Sequence, residues 1–217
     1  MKHVWLNKEN NSSLVLFFAG WSFDGEPFKF LDNSGFDVVC FYDYRDLNID
    51  VDFSGYDKYY LATWSMGVYI APLVRENLPK FEKAIALNGT PTPIDNELGI
   101  PVRTFELTLK FASEGLKGKF YQNVFFDAEQ LERYQKTPVL RTISDRVEEL
   151  HILKNSIVST PANAENFFDV AYVSEHDKII PAKNQLNAWQ KLNVPVIKLA
   201  DGHFPFYNFT SWKEICK

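Results

Sequence analysis

Short, unbroken apolar runs, each closed by a turn, recur along this chain and constrain its fold more than any other feature. "SLVLFFAG" (13–20), "DVVCFYDY" (37–44) and "KYYLATWS" (58–65) come first; "KAIALNGT" (83–90), "FDVAYVSE" (168–175) and "VPVIKLAD" (194–201) follow. A strand with one wet face alternates apolar and polar residues, whereas a strand covered on both faces reads as a continuous apolar run. Such runs predict a mostly parallel sheet with helices on both sides. "HVWL" (3–6) predicts an edge strand.

Helical patterns lie between the runs. "SMGVYIAPLVRENL" (65–78) places Met66, Tyr69, Ile70, Leu73 and Val74 at roughly helical spacing. "PAKNQLNAWQKL" (181–192) opens on a proline, whose missing N–H costs nothing in a first turn, and "TSWKEICK" (210–217) closes the chain. Strand–helix alternation of this kind predicts a doubly wound α/β sheet. Residues 91–165 break the rhythm with aromatic-rich helical stretches such as "TFELTLKFASEGLKGKFYQNVFFDAEQLERYQ" (104–135). A long insertion between core strands predicts a cap over the sheet, within a single domain spanning 1–217.

Composition removes several function classes. With 46% hydrophobic residues, 19 Phe and 10 Tyr among 217 residues, the chain has material for a large core. Its 23 Lys and Arg against 28 Asp and Glu give a net charge of −5, a poor basis for nucleic-acid binding. The two cysteines, Cys40 and Cys216, form neither a disulfide framework nor a metal cluster. No window approaches 18 apolar residues, and "MKHVWLNKENN" lacks a signal pattern, so a cytoplasmic protein without membrane contact is expected. There is no P-loop, dinucleotide glycine fingerprint or metal-ligand spacing; no cofactor and no metal are expected.

Three residues follow three different strand runs in the order serine, aspartate, histidine. Ser65, in "TWSMG" (63–67), stands on a strand-to-helix turn that would project its hydroxyl above the carboxyl edge of the sheet. The usual elbow pattern is G-x-S-x-G; here Thr63 occupies the first glycine position and Gly67 the second. Taken alone, Ser65 reads equally as a nucleophile or as an ordinary helix cap. His203, in "LADGHFPF" (199–206), follows the last strand run and could take the serine proton. Asp177, in "VSEHDKIIP" (173–181), would orient the imidazole. Each is weak singly; together they favour catalysis. His176 is a rival base, and Asp201 and Asp95 are rival acids. His3 and His151 are less well placed, in the terminal strand and in a helical pattern. In "FFAGWSFDG" (17–25), a turn at Gly20 would aim the Trp21 N–H at the reacting oxygen, with the second N–H from Met66. The Trp21 ring would wall the pocket.

The segments "FFAGW", "TWSMG", "HDKIIP" and "DGHFPF" resemble the oxyanion, nucleophile, acid and histidine segments of small serine carboxylesterases of the α/β-hydrolase fold. The resemblance covers nearly the whole chain. More narrowly, "LVLFFAGWSFDGEPF", "DVVCFYDYRDL" and "ATWSMGVYIA" are similar to the BioG-type pimeloyl-[acyl-carrier protein] methyl ester carboxylesterases. This implies hydrolysis of that methyl ester to pimeloyl-acyl-carrier protein and methanol in biotin synthesis, without a cofactor, with Ser65, Asp177 and His203 as the triad. A general short-chain carboxylesterase or thioesterase, or a non-catalytic binding protein on the same scaffold, is the alternative. Within 103–146, eight basic residues (Arg103, Lys110, Lys117, Lys119, Arg133, Lys136, Arg141, Arg146) face six acidic ones (Glu106, Glu114, Asp127, Glu129, Glu132, Asp145). That excess of two suggests a basic rim for an acidic carrier protein, with Arg133 and Arg141 as contacts; the other reading is a solvated helical face. A monomer is expected.

Overall fold

The computed structural model describes residues 1–33 and 35–217. Each apolar run forms a strand: β1 (Lys2–Asn7), β2 (Ser13–Phe18), β3 (Asp37–Tyr42), β4 (Lys58–Trp64), β5 (Lys83–Leu87), β6 (Val170–Ser174) and β7 (Val196–Leu199). They make one sheet in the order β1-β3-β2-β4-β5-β6-β7. All pairs are parallel except β1 with β3, so the "HVWL" stretch is an antiparallel edge.

Both faces of the sheet are covered, which is why its central strands lack polar alternation. Leu14, Leu16 and Phe18 of β2 join one apolar cluster, while Val15 and Phe17 join another on the opposite face. The first cluster takes in Val68, Tyr69 and Ile70 of α1 (Gly67–Leu73) and Trp189 of α7 (Ala182–Lys191). The second takes in Trp212 of α8 (Trp212–Ile215), whose ring centroid lies 4.9 Å from that of Phe17.

One helix is shorter than its pattern predicts. α1 ends at Leu73 rather than running to residue 78, and a 3-10 turn, Arg75–Asn77, follows it. Pro72 is the physical reason, because it removes a backbone donor and its ring crowds the preceding turn.

Five helices fill the interval between β5 and β6: α2 (Val102–Lys110), α3 (Ala112–Gly115), α4 (Lys119–Val124), α5 (Ala128–Lys136) and α6 (Ile143–Ser159). The last is fixed at its start by Thr142, whose Oγ1 accepts the Asp145 N–H at 3.1 Å. Among the described residues, no helix is long and apolar enough to cross a membrane.

Candidate active site

β4 delivers Ser65 to the carboxyl edge of the sheet in a strained turn. Ser65 has φ 54°, a left-handed backbone rare for a residue with a side chain, and its N–H is held by Leu87 O at 3.0 Å. The turn closes tightly only because Gly67 has no side chain: a Cβ there would sit 2.2 Å from Phe18 O. Gly20 lets the neighbouring loop come near as well, since a Cβ there would lie 3.0 Å from the Ser65 Cβ. Thr63 is accommodated inside β4, fully buried, with its Oγ1 donating to Ile85 O on β5 at 3.0 Å.

The three separated segments converge on this turn. His203 Nε2 lies 2.8 Å from Ser65 Oγ, and His203 Nδ1 lies 2.8 Å from Asp177 Oδ2. The Asp177 side chain is fully buried and that of His203 nearly so. Asp177 Oδ1 accepts the N–H groups of Ile179 and Ile180 at 2.8 and 2.9 Å, and Oδ2 also accepts Gln185 Nε2 at 2.8 Å. A carboxylate is an acceptor, so this arrangement draws the imidazole proton to Nδ1 and leaves Nε2 to receive the serine O–H.

The rival residues lie elsewhere. The exposed His176 packs its ring against Phe126, with centroids 5.2 Å apart. Asp95 closes a turn by accepting the N–H groups of Glu97 and Leu98. Asp201 accepts from Gly202 N, Gln130 Nε2 and Asn208 Nδ2; burial pushes its carboxyl above its ordinary value, against those bonds. It thereby ties α5 to the histidine loop.

Asn88 escapes a reading by residue type, because an Asn-Gly pair after a strand looks like an ordinary turn. It is fully buried at φ 43°. Its Oδ1 accepts Ser174 N at 2.7 Å; its Nδ2 lies 2.8 Å from Ser174 Oγ, 3.0 Å from Gly202 O and 3.1 Å from His203 O. One side chain thus joins the end of β5 to the acid-bearing strand and to the histidine backbone. Trp64 Nε1 donates to the same His203 O at 2.7 Å. Asn88→Ala is expected to cost about 1–3 kcal/mol for each buried group left without a partner. It should also lower turnover at least tenfold by releasing the His203 loop. Denaturant midpoints and kcat measured on one preparation check both effects.

A cavity of about 700 Å³ opens over Ser65 and His203. Its walls are apolar: Trp21 and Met66 from the loops at the sheet edge, and Ile100, Phe105, Leu116 and Phe120 from the inserted segment. Lys119, Glu114 and Lys178 supply its few charges. Among the described residues, the backbone N–H groups of Trp21 and Met66 have no acceptor within the protein. The Trp21 ring lines the cavity, and its Nε1 donates to Arg146 O at 2.7 Å. Among the described residues, no group of three or more His, Cys, Asp or Glu side chains is placed to hold a metal ion.

The basic rim expected from the sequence does not form as counted. The Arg141 side chain is 5% exposed and pairs with Glu149 at 2.7 Å and Asp43 at 3.3 Å, so its charge is turned inward and not placed to meet a carrier. Arg146 is buried as a whole residue; its guanidinium donates to Tyr121 Oη and to Thr142 O. These two arginines are the whole positive surplus of the segment. Six exposed basic residues remain against five exposed acids and the half-buried Asp145. For Arg141 the physical reason is a pair of buried carboxylates, Glu149 and Asp43, which require an internal cation; Arg146 instead answers the buried Tyr121 hydroxyl and Thr142 O. Burial raises the Asp43 carboxyl, but hydrogen bonds from Arg45 and Lys2 and the charge of Arg141 outweigh it and hold it at about 2. Burial pushes Glu149 up, with Arg141 acting against it. Arg133 is exposed, and its guanidinium lies over the rings of Tyr207 and Phe30 at 4.0 and 4.4 Å.

Residues 1–215 match the family model described as pimeloyl-ACP methyl esterase BioG. The chain belongs to the BioG family. Its fold agrees with the crystal structure of BioG from Haemophilus influenzae, with a TM-score of 0.92 at 32% identity over 100% of both chains. It is also 34% identical over 193 residues to a protein of Bacteroides fragilis named malonyl-[acyl-carrier protein] O-methyltransferase. That match covers 88% of this chain but 39% of the Bacteroides protein. An esterase from Exiguobacterium antarcticum shares the fold, with a TM-score of 0.68 at 12% identity over 95% of this chain and 89% of that one. Membership of the BioG family and the α/β-hydrolase fold make this chain a hydrolase.

Proposed function

We propose that this protein is a serine carboxylesterase that cleaves the methyl ester of pimeloyl-acyl-carrier protein, with Ser65 as nucleophile. The observation that carries this reading is the unbroken Ser65–His203–Asp177 hydrogen-bond chain, both links 2.8 Å, at the floor of the apolar cavity in a BioG-family chain.

In the first half-reaction Ser65 Oγ attacks the ester carbonyl carbon as its proton passes to His203 Nε2. Asp177 holds Nδ1–H and stabilises the imidazolium. The carbonyl oxygen becomes an oxyanion facing the Trp21 and Met66 N–H groups; such a donor contributes roughly 3–4 kcal/mol to barrier lowering. Collapse breaks the carbon–methoxy bond, and methanol leaves with the His203 proton. Water then attacks the acyl-enzyme, giving one proton to His203, and collapse returns that proton to Ser65 while the product leaves as the carboxylic acid, which then ionises in solvent.

Residues 91–165 act in this reading as the cap that shields the acyl chain, since four of their helices contribute cavity wall (α2, α3, α4 and α6). Leu107 and Phe111 are half exposed and also line the cavity, which marks its mouth. A carrier-bound chain would enter there, with Lys119 and Lys178 near the acidic carrier. The name of the Bacteroides protein describes methyl transfer to a carrier-bound acid, the chemistry that makes such an ester. Biotin synthesis in the cytoplasm is the setting this reading implies.

Hydrolysis of pimeloyl-carrier methyl ester, compared with free dimethyl pimelate, tests the substrate assignment. The expected kcat/KM is at least tenfold higher for the carrier-linked ester. Equal or faster hydrolysis of the free diester would favour a general short-chain esterase.

A further inference from the structure

The loop that presents the Trp21 N–H has little internal support. Between Gly20 and Gly25 it makes one backbone–backbone hydrogen bond of its own, Phe23 N–H to Gly20 O at 3.2 Å. Ser22 stands at φ 75° and is fully buried, a conformation that persists only where the surroundings enforce it. The enforcing contacts come from residues 140–149, more than a hundred positions away. Leu140 N–H donates to Asp24 Oδ2 at 2.7 Å, and Arg146 O accepts Trp21 Nε1–H at 2.7 Å. Glu149 reaches the strained residue itself: its Oε2 accepts the Ser22 N–H at 3.4 Å, a long bond. Its Oε1 accepts the Tyr44 N–H at 2.8 Å, and Arg141 Nη1 grips Oε2 at 2.7 Å while approaching Phe23 O at 3.4 Å.

We infer that Glu149, held by Arg141, is a positioning residue that sets the Trp21–Ser22 backbone so that the Trp21 N–H faces the reacting oxygen. The inference rests on the oxyanion role proposed above for Trp21. A fully buried carboxylate on an inserted helix is a costly way to hold a helix in place, since an apolar residue of similar volume would pack there without desolvating a charge. What a carboxylate does, and an apolar side chain cannot, is accept N–H groups from two separate loops while holding a cation near Phe23 O of the first. The inserted helices thereby shape the oxyanion site as well as the acyl cavity.

Glu149→Asp keeps the charge opposite Arg141 but withdraws the acceptor from Ser22; Glu149→Gln keeps the length and removes the charge. Both are compared with Leu153→Ala, a core truncation on the same helix outside the cavity lining. The expected result is a roughly 10- to 100-fold fall in kcat for Glu149→Asp, with KM within about twofold. That is less than the 10²- to 10³-fold loss from deleting an oxyanion donor outright. Binding of an alkylboronic acid, which forms a tetrahedral adduct, should weaken in parallel. Leu153→Ala should lower the thermal midpoint without either effect. Wild-type kcat and boronate affinity in a folded Glu149→Asp would overturn the inference, as would equal losses in Leu153→Ala. Should Glu149→Gln not fold, Glu149→Asp decides alone. Survival of activity in Ser65→Ala would instead strike at the catalytic reading, which separates the two failures.

Discussion

Ser65→Ala is expected to abolish ester hydrolysis, lowering kcat by roughly 10⁴- to 10⁶-fold while leaving the protein folded. The substitution removes one oxygen, whose sole hydrogen-bond partner among the described residues is His203 Nε2 at 2.8 Å. Alanine meets the same left-handed backbone at φ 54° that serine does, and the N–H bond to Leu87 O needs no side chain. Stability should therefore change by less than about 1 kcal/mol, within the ordinary range for a substitution that opens no core cavity. Residual activity would come from binding and the two N–H donors alone. A thermal midpoint beside a progress curve checks both parts, and a variant within tenfold of wild type would remove Ser65 from the chemistry.

Asp177→Asn carries the second large effect, a fall in kcat of about 10³- to 10⁴-fold. The site around Asp177 consists of donors: two backbone N–H groups at Oδ1, and Gln185 Nε2 and His203 Nδ1 at Oδ2. Asparagine has the same shape but one of its terminal atoms is itself a donor. Turned towards His203, that NH₂ forces the ring proton to Nε2, where it blocks uptake of the serine proton. Turned away, it faces the N–H groups of Ile179 and Ile180. The variant is therefore expected to lose about 1–3 kcal/mol of stability as well. Steady-state kinetics with a chemical denaturation curve separates the two losses. A kcat within tenfold of wild type would assign the acid role to another carboxylate.

The sheet is legible in the sequence because its central strands are covered on both faces, so each of them announces itself as an apolar run between turns. Ser65, Asp177 and His203 are legible for a related reason: each follows such a run, and parallel strands bring their carboxyl ends to one edge. What supports them is far less visible. Asn88 acts through side-chain hydrogen bonds that span 86 to 115 residues, and Gln185 through one that reaches Asp177 across 8, and neither amide differs by type or spacing from a surface one. Arg141 and Arg146 mislead in the opposite direction. A charge count treats every arginine as solvent-facing, whereas these two answer buried acceptors contributed by Glu149, Asp43 and Tyr121. Pro72 is visible in the sequence and still leaves the helix end uncertain, because a proline permits either a kink or a stop.

Covalent trapping with a long-chain alkyl fluorophosphonate, followed by peptide mapping and assay of the same sample, tests the central claim most directly. The reagent mimics the tetrahedral intermediate and bonds to an activated serine oxygen. The expected result is one phosphonyl group per chain, located on the peptide containing Ser65, with hydrolysis of the carrier-linked methyl ester lost in proportion to labelling. Full labelling of Ser65 with activity retained, or complete inactivation with Ser65 unmodified, would contradict the account.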